Sequence, residues 1–263
     1  MIKFTQPNEN NSLSKFSSVS FTLNGEYLEN KIEGYKTIKV SGREVLDELI
    51  RTEKVEGRDG EIFINKTKPI RELEITYYMK ADTNEELQIQ YRKLADALNS
   101  DSPFEIEFDD DKGIFFYGMK TKMGKVSDSF NEIVSTFTLT CFDPYKYSLP
   151  IKFSGNPINI LLDSTFKTNP DEIKITINSD VSKINIENLE TGRRIVLDGS
   201  YNVGDVITIN WKNRTIRNGN INILNNVDET VSVLKGFTIE DGQRIQITPL
   251  SCGLQITIRE RWG

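Results

Sequence analysis

The sequence predicts a mainly β protein of two domains, the first carrying one helix on its sheet and the second an antiparallel β-sandwich. Three observations lead there. Stretches such as Phe137-Thr-Leu-Thr-Cys141 and Ile173-Lys-Ile-Thr-Ile177 alternate with the two-residue period of half-buried strands. One segment, about Asn84–Asn99, combines helical spacing with a helix-start signal. Finally, Pro144 lacks the N–H that a central ladder needs and pushes Asp143 out of the helical region, so the strand through Cys141 stops hard. Pro150 and a polar run through Gly155-Asn156-Pro157 follow. The boundary is expected near residues 143–152, giving domains 1–147 and 148–263.

The opening elements read as strands. Phe21 and Leu23 alternate before Asn24-Gly25, a strong hairpin signal, with Tyr27 and Leu28 beyond it. Ile32 to Val40 is extended. Val45, Leu46, Leu49 and Ile50 have helical spacing, but the segment is short and runs into Gly57-Arg58-Asp59-Gly60. A long excursion from Ser41 to Asn65 is favoured over a helix, with a turn expected around Asn65. Leu73, Ile75 and Tyr77 alternate in the next strand. Thr83 then caps the helix, with Glu86 completing the Thr-x-x-Glu box. Its apolar stripe is Leu87, Tyr91, Leu94, Ala95 and Leu98, which should dock on a sheet. Phe104, Ile106 and Phe108 form a strand, Asp109 to Gly113 a turn and Ile114 to Gly118 the return.

Beyond residue 150 the pattern is purely β. Strands are expected at Ile173–Ile177, Ile184–Ile186, Ile195–Leu197, Val206–Trp211, Thr215–Arg217, Ile245–Ile247 and Leu254–Ile258. Gly and Asn turns separate several of them, at Thr191-Gly192, Asp198-Gly199 and Asn218-Gly219. Short strands with turns at this spacing indicate an antiparallel sandwich.

Composition narrows the function. The 263 residues carry 27% charged and 37% hydrophobic residues, as in a globular chain. No apolar run reaches the length of a membrane span. The first residues lack a basic and apolar leader pattern, so the chain is expected to start near Met1 and to work without Sec export. Net charge is −6, and residues 1–148 hold all of that imbalance, with 20 basic against 26 acidic residues. Such a balance does not suit a protein that neutralises phosphates. There is no histidine, which removes the commonest general base and most zinc and non-haem iron sites. Cys141 and Cys252 are too few for a disulfide framework, and Cys141 lies on an apolar strand face.

The local candidates each have a plainer explanation. Asp109-Asp110-Asp111 lacks the alternate spacing and distal Glu of a calcium loop and reads as a solvated turn. Gly57-Arg58-Asp59-Gly60 lacks the lysine of a phosphate-binding loop. Trp211 beside a turn could stack on a sugar ring, although a strand tryptophan there is more often core or rim. Asn65 and Asn213 head glycosylation sequons that carry no meaning without secretion. No catalytic constellation, cofactor site or metal site emerges, so the chain reads as a structural or binding protein.

Several segments, in order, resemble the distal tail (Dit) protein family of long-tailed phages with Gram-positive hosts. They are Phe21 to Gly25, Val55-Glu-Gly-Arg-Asp-Gly60, Arg71-Glu-Leu-Glu-Ile-Thr76, the Asn84–Asn99 helix, Phe104-Glu-Ile-Glu-Phe108 and Phe137 to Ser148. The second half adds Gly204 to Asn213 and a final Ile-Thr-Ile-Arg-Glu-Arg-Trp262. The resemblance implies an N-terminal hub domain, a β-sandwich or split barrel with a helix, that forms a six-fold ring. It also implies a C-terminal sandwich of galectin or carbohydrate-module type. The implied ring is a homo-hexamer in the virion, assembled in the host cytoplasm, that joins the tail tube protein to the tail-tip host-recognition protein. DNA would pass its lumen without specific binding, and no membrane insertion is implied. Gly57, Arg58, Asp59 and Gly60 are the expected subunit-interface residues. A carbohydrate-binding adhesin that uses Trp211 on cell-wall glycans is the first alternative, and a glycan hydrolase the second.

Overall fold

A computed structural model describes residues 16–126 and 131–263. The chain divides into two compact units, one running to Lys146 and including Gly263, the other Tyr147–Trp262. The reading of residues 1–10 as lacking a leader lies outside the described residues. No helix among them is long and apolar enough to cross a membrane.

The first unit begins with strands β1 (Phe21–Leu23) and β2 (Glu26–Tyr27). Asn24 and Gly25 join them with φ of 52° and 83°, the left-handed pair that a tight hairpin demands. One helical turn follows, α1 (Leu28–Lys31), where a continued strand was expected. Leu28 and Ile32 are fully buried, and the turn brings both to the core side. Next come β3 (Tyr35–Ser41), β4 (Leu49–Glu53), β5 (Ile62–Thr67) and β6 (Arg71–Lys80). After α2 (Asn84–Ala97), β7 (Phe104–Phe108), β8 (Ile114–Met123) and β9 (Glu132–Cys141) complete the unit.

Its strands run in the order β2-β1-β7-β8-β9-β6-β3, all antiparallel. The β8 strand serves both halves. Residues up to Gly118 pair with β7, and those from Met119 onward pair with β9 across a bulge. The sheet turns its corner at Gly118, where an added Cβ would sit 3.0 Å from the Cys141 sulfur. Leu73, Ile75, Tyr77 and Met79 on β6 have no exposed surface and fill the core with Phe21, Phe108 and Phe137. The threonine face of β9 departs from the half-buried expectation. Thr138 and Thr140 are buried as well, and Thr140 shares a 2.6 Å hydroxyl hydrogen bond with Thr121 on β8.

Helix α2 starts as its sequence requires. The Thr83 hydroxyl accepts the Glu86 N–H at 3.2 Å, and the Glu86 carboxylate accepts the Thr83 N–H at 3.3 Å. Leu87, Leu94 and Leu98 are buried. The stripe is completed by Gln90, not Ala95, which is exposed. Positions 87, 90, 91, 94 and 98 follow the 3.6-residue period more closely than 95 does.

The second unit starts within β10 (Lys146–Ser148) and continues through β11 (Ile151–Ser154) and β12 (Ile158–Asn159). Then come β13 (Glu172–Ile177), β14 (Val181–Asn188), β15 (Arg194–Tyr201), β16 (Val206–Asn210), β17 (Thr215–Asn218) and β18 (Ile221–Asn222). The last are β19 (Arg244–Thr248), β20 (Cys252–Ile258) and β21 (Arg261–Trp262). One sheet has the order β11-β20-β13-β16-β17-β18, and the other β12-β19-β14-β15. Isoleucines fill the space between them: Ile173, Ile175 and Ile177 from one sheet, Ile184, Ile186 and Ile247 from the other. Strict alternation on β13 and β20 puts Lys174, Thr176 and Gln255 outward.

Candidate assembly surface

The excursion after β3 is a two-stranded antiparallel hairpin. No helix forms there. Leu49 pairs with Thr67, Ile50 with Lys66, Arg51 with Asn65, Thr52 with Phe63 and Glu53 with Ile62. Asn65 therefore lies inside a strand, and in place of the expected turn there is a bulge beside it, Ile64 on β5 standing opposite the step from Arg51 to Thr52. Of the four residues with helical spacing, Leu49 and Ile50 fall on opposite faces of β4, while Val45 and Leu46 lie in the irregular stretch before it. Side chains alternate, so the adjacent pair Leu49-Ile50 and the run Ile62-Phe63-Ile64 put apolar groups on each face.

None of these groups is covered among the described residues. Every residue of β4 and β5 is exposed, with Leu49 at 58%, Ile50 at 64% and Phe63 at 59%. The hairpin pairs with no other described strand. Polar contacts trim its edges: Lys66 meets Glu48 at 2.8 Å, and the Thr52 hydroxyl donates to Glu61. That Lys66 hydrogen bond holds the Glu48 carboxyl below its ordinary range. A solitary two-stranded ribbon is marginal in water, and exposed apolar patches of this kind mark interaction sites.

Gly57, Arg58, Asp59 and Gly60 sit together at the tip, all exposed. The Arg58 N–H closes the turn onto the Val55 carbonyl at 3.2 Å. Gly57 and Gly60 have φ of 79° and 77°, and a Cβ on either would meet nothing within 4 Å. These glycines serve backbone conformation, not close packing. The side chains of Arg58 and Asp59 have no partner among the described residues. Sequence reasoning missed the stem residues Leu49, Ile50 and Phe63, although their run of neighbouring apolar residues was a visible signal.

The root of the hairpin is rigid. Arg71 is fully buried and donates through Nη1 to the carbonyls of Gly42 and Glu44, both at 2.7 Å. Burial pushes the Arg71 pKa down. Gly42 has φ of 91°, and a Cβ there would lie 1.9 Å from the Glu72 carbonyl oxygen, so only glycine fits. Next to it Arg43 forks onto Asp110, with Nη2 to Oδ2 at 2.7 Å, and stacks 4.5 Å from the Phe108 ring centroid. The acidic turn is thus tied internally. Asp109 accepts from the Tyr27 hydroxyl at 2.6 Å and pairs with Lys112 at 2.7 Å. The Arg43 hydrogen bond holds the Asp110 carboxyl below its ordinary range. Among the described residues, no group of three or more His, Cys, Asp and Glu side chains is placed to hold a metal ion.

In the second unit, Trp211 follows β16 and is half-buried, its ring centroid 6.3 Å from that of Phe237. It is rim and core together, and it also lines an open cleft of about 510 Å³.

Comparisons with known proteins cover both β-rich units. Residues 14–141 match the phage tail protein RIFT-related domain, and residues 163–262 match the siphovirus-type tail component, C-terminal domain. The crystal structure of the SPP1 Dit protein, described as a paradigm of the hub adsorption apparatus in phages infecting Gram-positive bacteria, has a TM-score of 0.81. It is 16% identical, with 94% of this chain and 100% of that chain covered. Activated baseplates of phage p2, with Sr and with Ca, align at TM-scores of 0.48 and 0.49 and 11% identity, over 86% and 85% of this chain and 90% of theirs. No curated protein sequence matches the chain. The chain belongs to the siphophage distal tail (Dit) family, a family of structural virion proteins.

Proposed function

We propose that six copies of this chain form the distal tail ring, which joins the tail tube to the host-recognition tip. The observation that carries this reading is the β4–β5 hairpin, whose apolar stem has no cover within the described chain. A neighbouring subunit would bury Leu49, Ile50 and Phe63, and the tip residues Gly57, Arg58, Asp59 and Gly60 would meet it as well. Residues 1–147 are the ring-forming hub domain in this reading, and residues 148–263 are the C-terminal sandwich. The ring has no catalytic role, is assembled in the host cytoplasm and lets DNA through without specific binding. The acidic balance of the first half favours repulsion of a duplex over capture.

Sedimentation and light scattering test the ring directly, with six times 30.1 kDa as the expected mass. An intact ring after deletion of residues 56–60 counts against the interface. Duplex affinity that appears below about 100 mM salt counts against the passive lumen. The carbohydrate-binding alternative has one observation in its favour, the cleft beside Trp211, which a monomer would carry as well as a ring.

A further inference from the structure

We propose that the cleft beside Trp211 binds a saccharide bearing an anionic group, a carboxylate or a phosphate. The cleft lies in the second unit, where the turn between β16 and β17 meets the segment from Leu224 to Lys235. Its apolar wall is Trp211, Leu224 and Leu234, and its polar rim includes Asn169, Arg214 and Lys235. The Trp211 Nε1–H donates to the Leu234 carbonyl at 3.2 Å, and Phe237 backs the ring. Asn169 Nδ2 donates to the Phe237 carbonyl at 3.0 Å. Both side chains are fixed before a ligand arrives, which lowers the ordering cost of binding. A held aromatic wall with a few convergent polar groups is the usual make-up of a small-ligand site, and an indole face accepts the apolar face of a sugar ring.

Charge decides which sugar. No acidic residue lines the cleft, in a chain whose net charge is −6. Arg214 and Lys235 make no ion pair or side-chain hydrogen bond among the described residues, although Lys167, Lys183, Arg244 and Arg259 of the same unit are each paired with a carboxylate. A guanidinium presents a planar fork that matches a carboxylate or phosphate. Arg214 also holds φ of 52°, a conformation that glycine or asparagine reaches more easily. A non-glycine residue held at this φ fits a functional constraint, and an anion at the rim would supply one. An acidic peptide would satisfy the two cations but leave the indole wall without a matching group, so the saccharide is favoured.

Calorimetric titration of the full chain tests this whether or not the ring reading holds. The probes are a tetrasaccharide of alternating glucuronate and N-acetylglucosamine, N-acetylglucosamine 1-phosphate, neutral chitotetraose and tetraglutamate. At least one acidic sugar should bind tenfold or more tightly than chitotetraose, and weaken in 0.5 M salt as a charge contact does (roughly a 4 Å Debye length at that ionic strength). Arg214→Gly should lower that affinity at least fivefold with a melting temperature equal to or above the parent's, because glycine takes the positive φ without strain. Lys235→Ala should lower it likewise. No heat with either acidic sugar, unchanged affinity in Arg214→Gly, or tetraglutamate binding as tightly as the sugars would each overturn the proposal.

Discussion

Arg71 donates its Nε–H to the carbonyl of Pro144 at 2.9 Å, so the strand that starts with Arg71 also holds the break that ends the β9 strand. The same guanidinium holds Gly42 and Glu44, tying three distant stretches of chain to one buried cation. No carboxylate pairs with it among the described residues; backbone carbonyls face the charge, and the Phe116 ring centroid lies 5.5 Å away. Arg71→Met should therefore strip three partly buried carbonyls of their donor, at about 1–3 kcal/mol for each that water cannot reach. Urea unfolding measures the loss. A midpoint equal to the parent's would show that the clamp contributes nothing.

The leucines under α2 set a second expectation. Leu87, Leu94 and Leu98 have 2% exposure or less. Truncating any one to alanine should cost roughly 2–5 kcal/mol, the range for a buried leucine that leaves a cavity. Ala95→Ser on the exposed side of the same helix should stay within about 0.5 kcal/mol. The contrast between the two is the measurement.

The stem of the hairpin separates folding from assembly. Ile50→Glu or Phe63→Glu should leave the melting temperature of the monomer unchanged, since neither side chain is covered. Each should abolish the ring if the proposed interface is correct. Light scattering that finds rings in both variants would remove the hairpin from the interface.

Acid should loosen the turn at Asp110. The carboxyl is held below its ordinary value of 3.8, chiefly by its hydrogen bond from Arg43. The pair's stabilising effect is therefore complete above that value and fades as pH falls through the lower, folded one. Asp110→Asn should melt below the parent at pH 7 and converge with it near pH 2. The effect should be small, because both groups are partly exposed. A gap that persists at pH 2 would assign it to shape, not charge.

Thiol chemistry gives a fifth check. Cys141 has no exposed surface, and burial pushes its thiol up to about 12; Cys252 is shifted in the same direction by the same cause. Ellman's reagent at pH 8 should find no reactive thiol in the native chain and two after denaturation. Rapid native labelling of either would contradict the packing around β9 or β20.

Much of this fold is legible because its elements obey one period each. The alternation at Ile173–Ile177 and the Thr83–Glu86 box announce their structures locally. The hairpin was harder. Apolar residues on both faces of β4 break the alternation that identifies a half-buried strand, and an uncovered strand has no inner face to enforce it. The Arg71 clamp was illegible for another reason. Its partners are main-chain carbonyls at positions 42, 44 and 144, and any residue type supplies a carbonyl. The convergence of Lys235 with Arg214 beside Trp211 is not legible in the sequence, because the loop that carries Lys235 meets the turn only in the folded sandwich.

The pairing of β11 with β20 has a consequence for how the chain comes off the ribosome. Ile151 opens the second unit's sheet opposite Ile258, so the first strand of that sheet waits for one of the last in the chain. The β6–β9 ladder of the first unit is complete at Cys141, far earlier in synthesis. Folding during translation should thus proceed in two acts, the first vectorial and the second delayed until the chain is nearly finished. While it waits, the isoleucine-rich strand at Ile173–Ile177 lacks β20, one of its two neighbours, and this interval is when a nascent chain would be most open to mispairing with another copy.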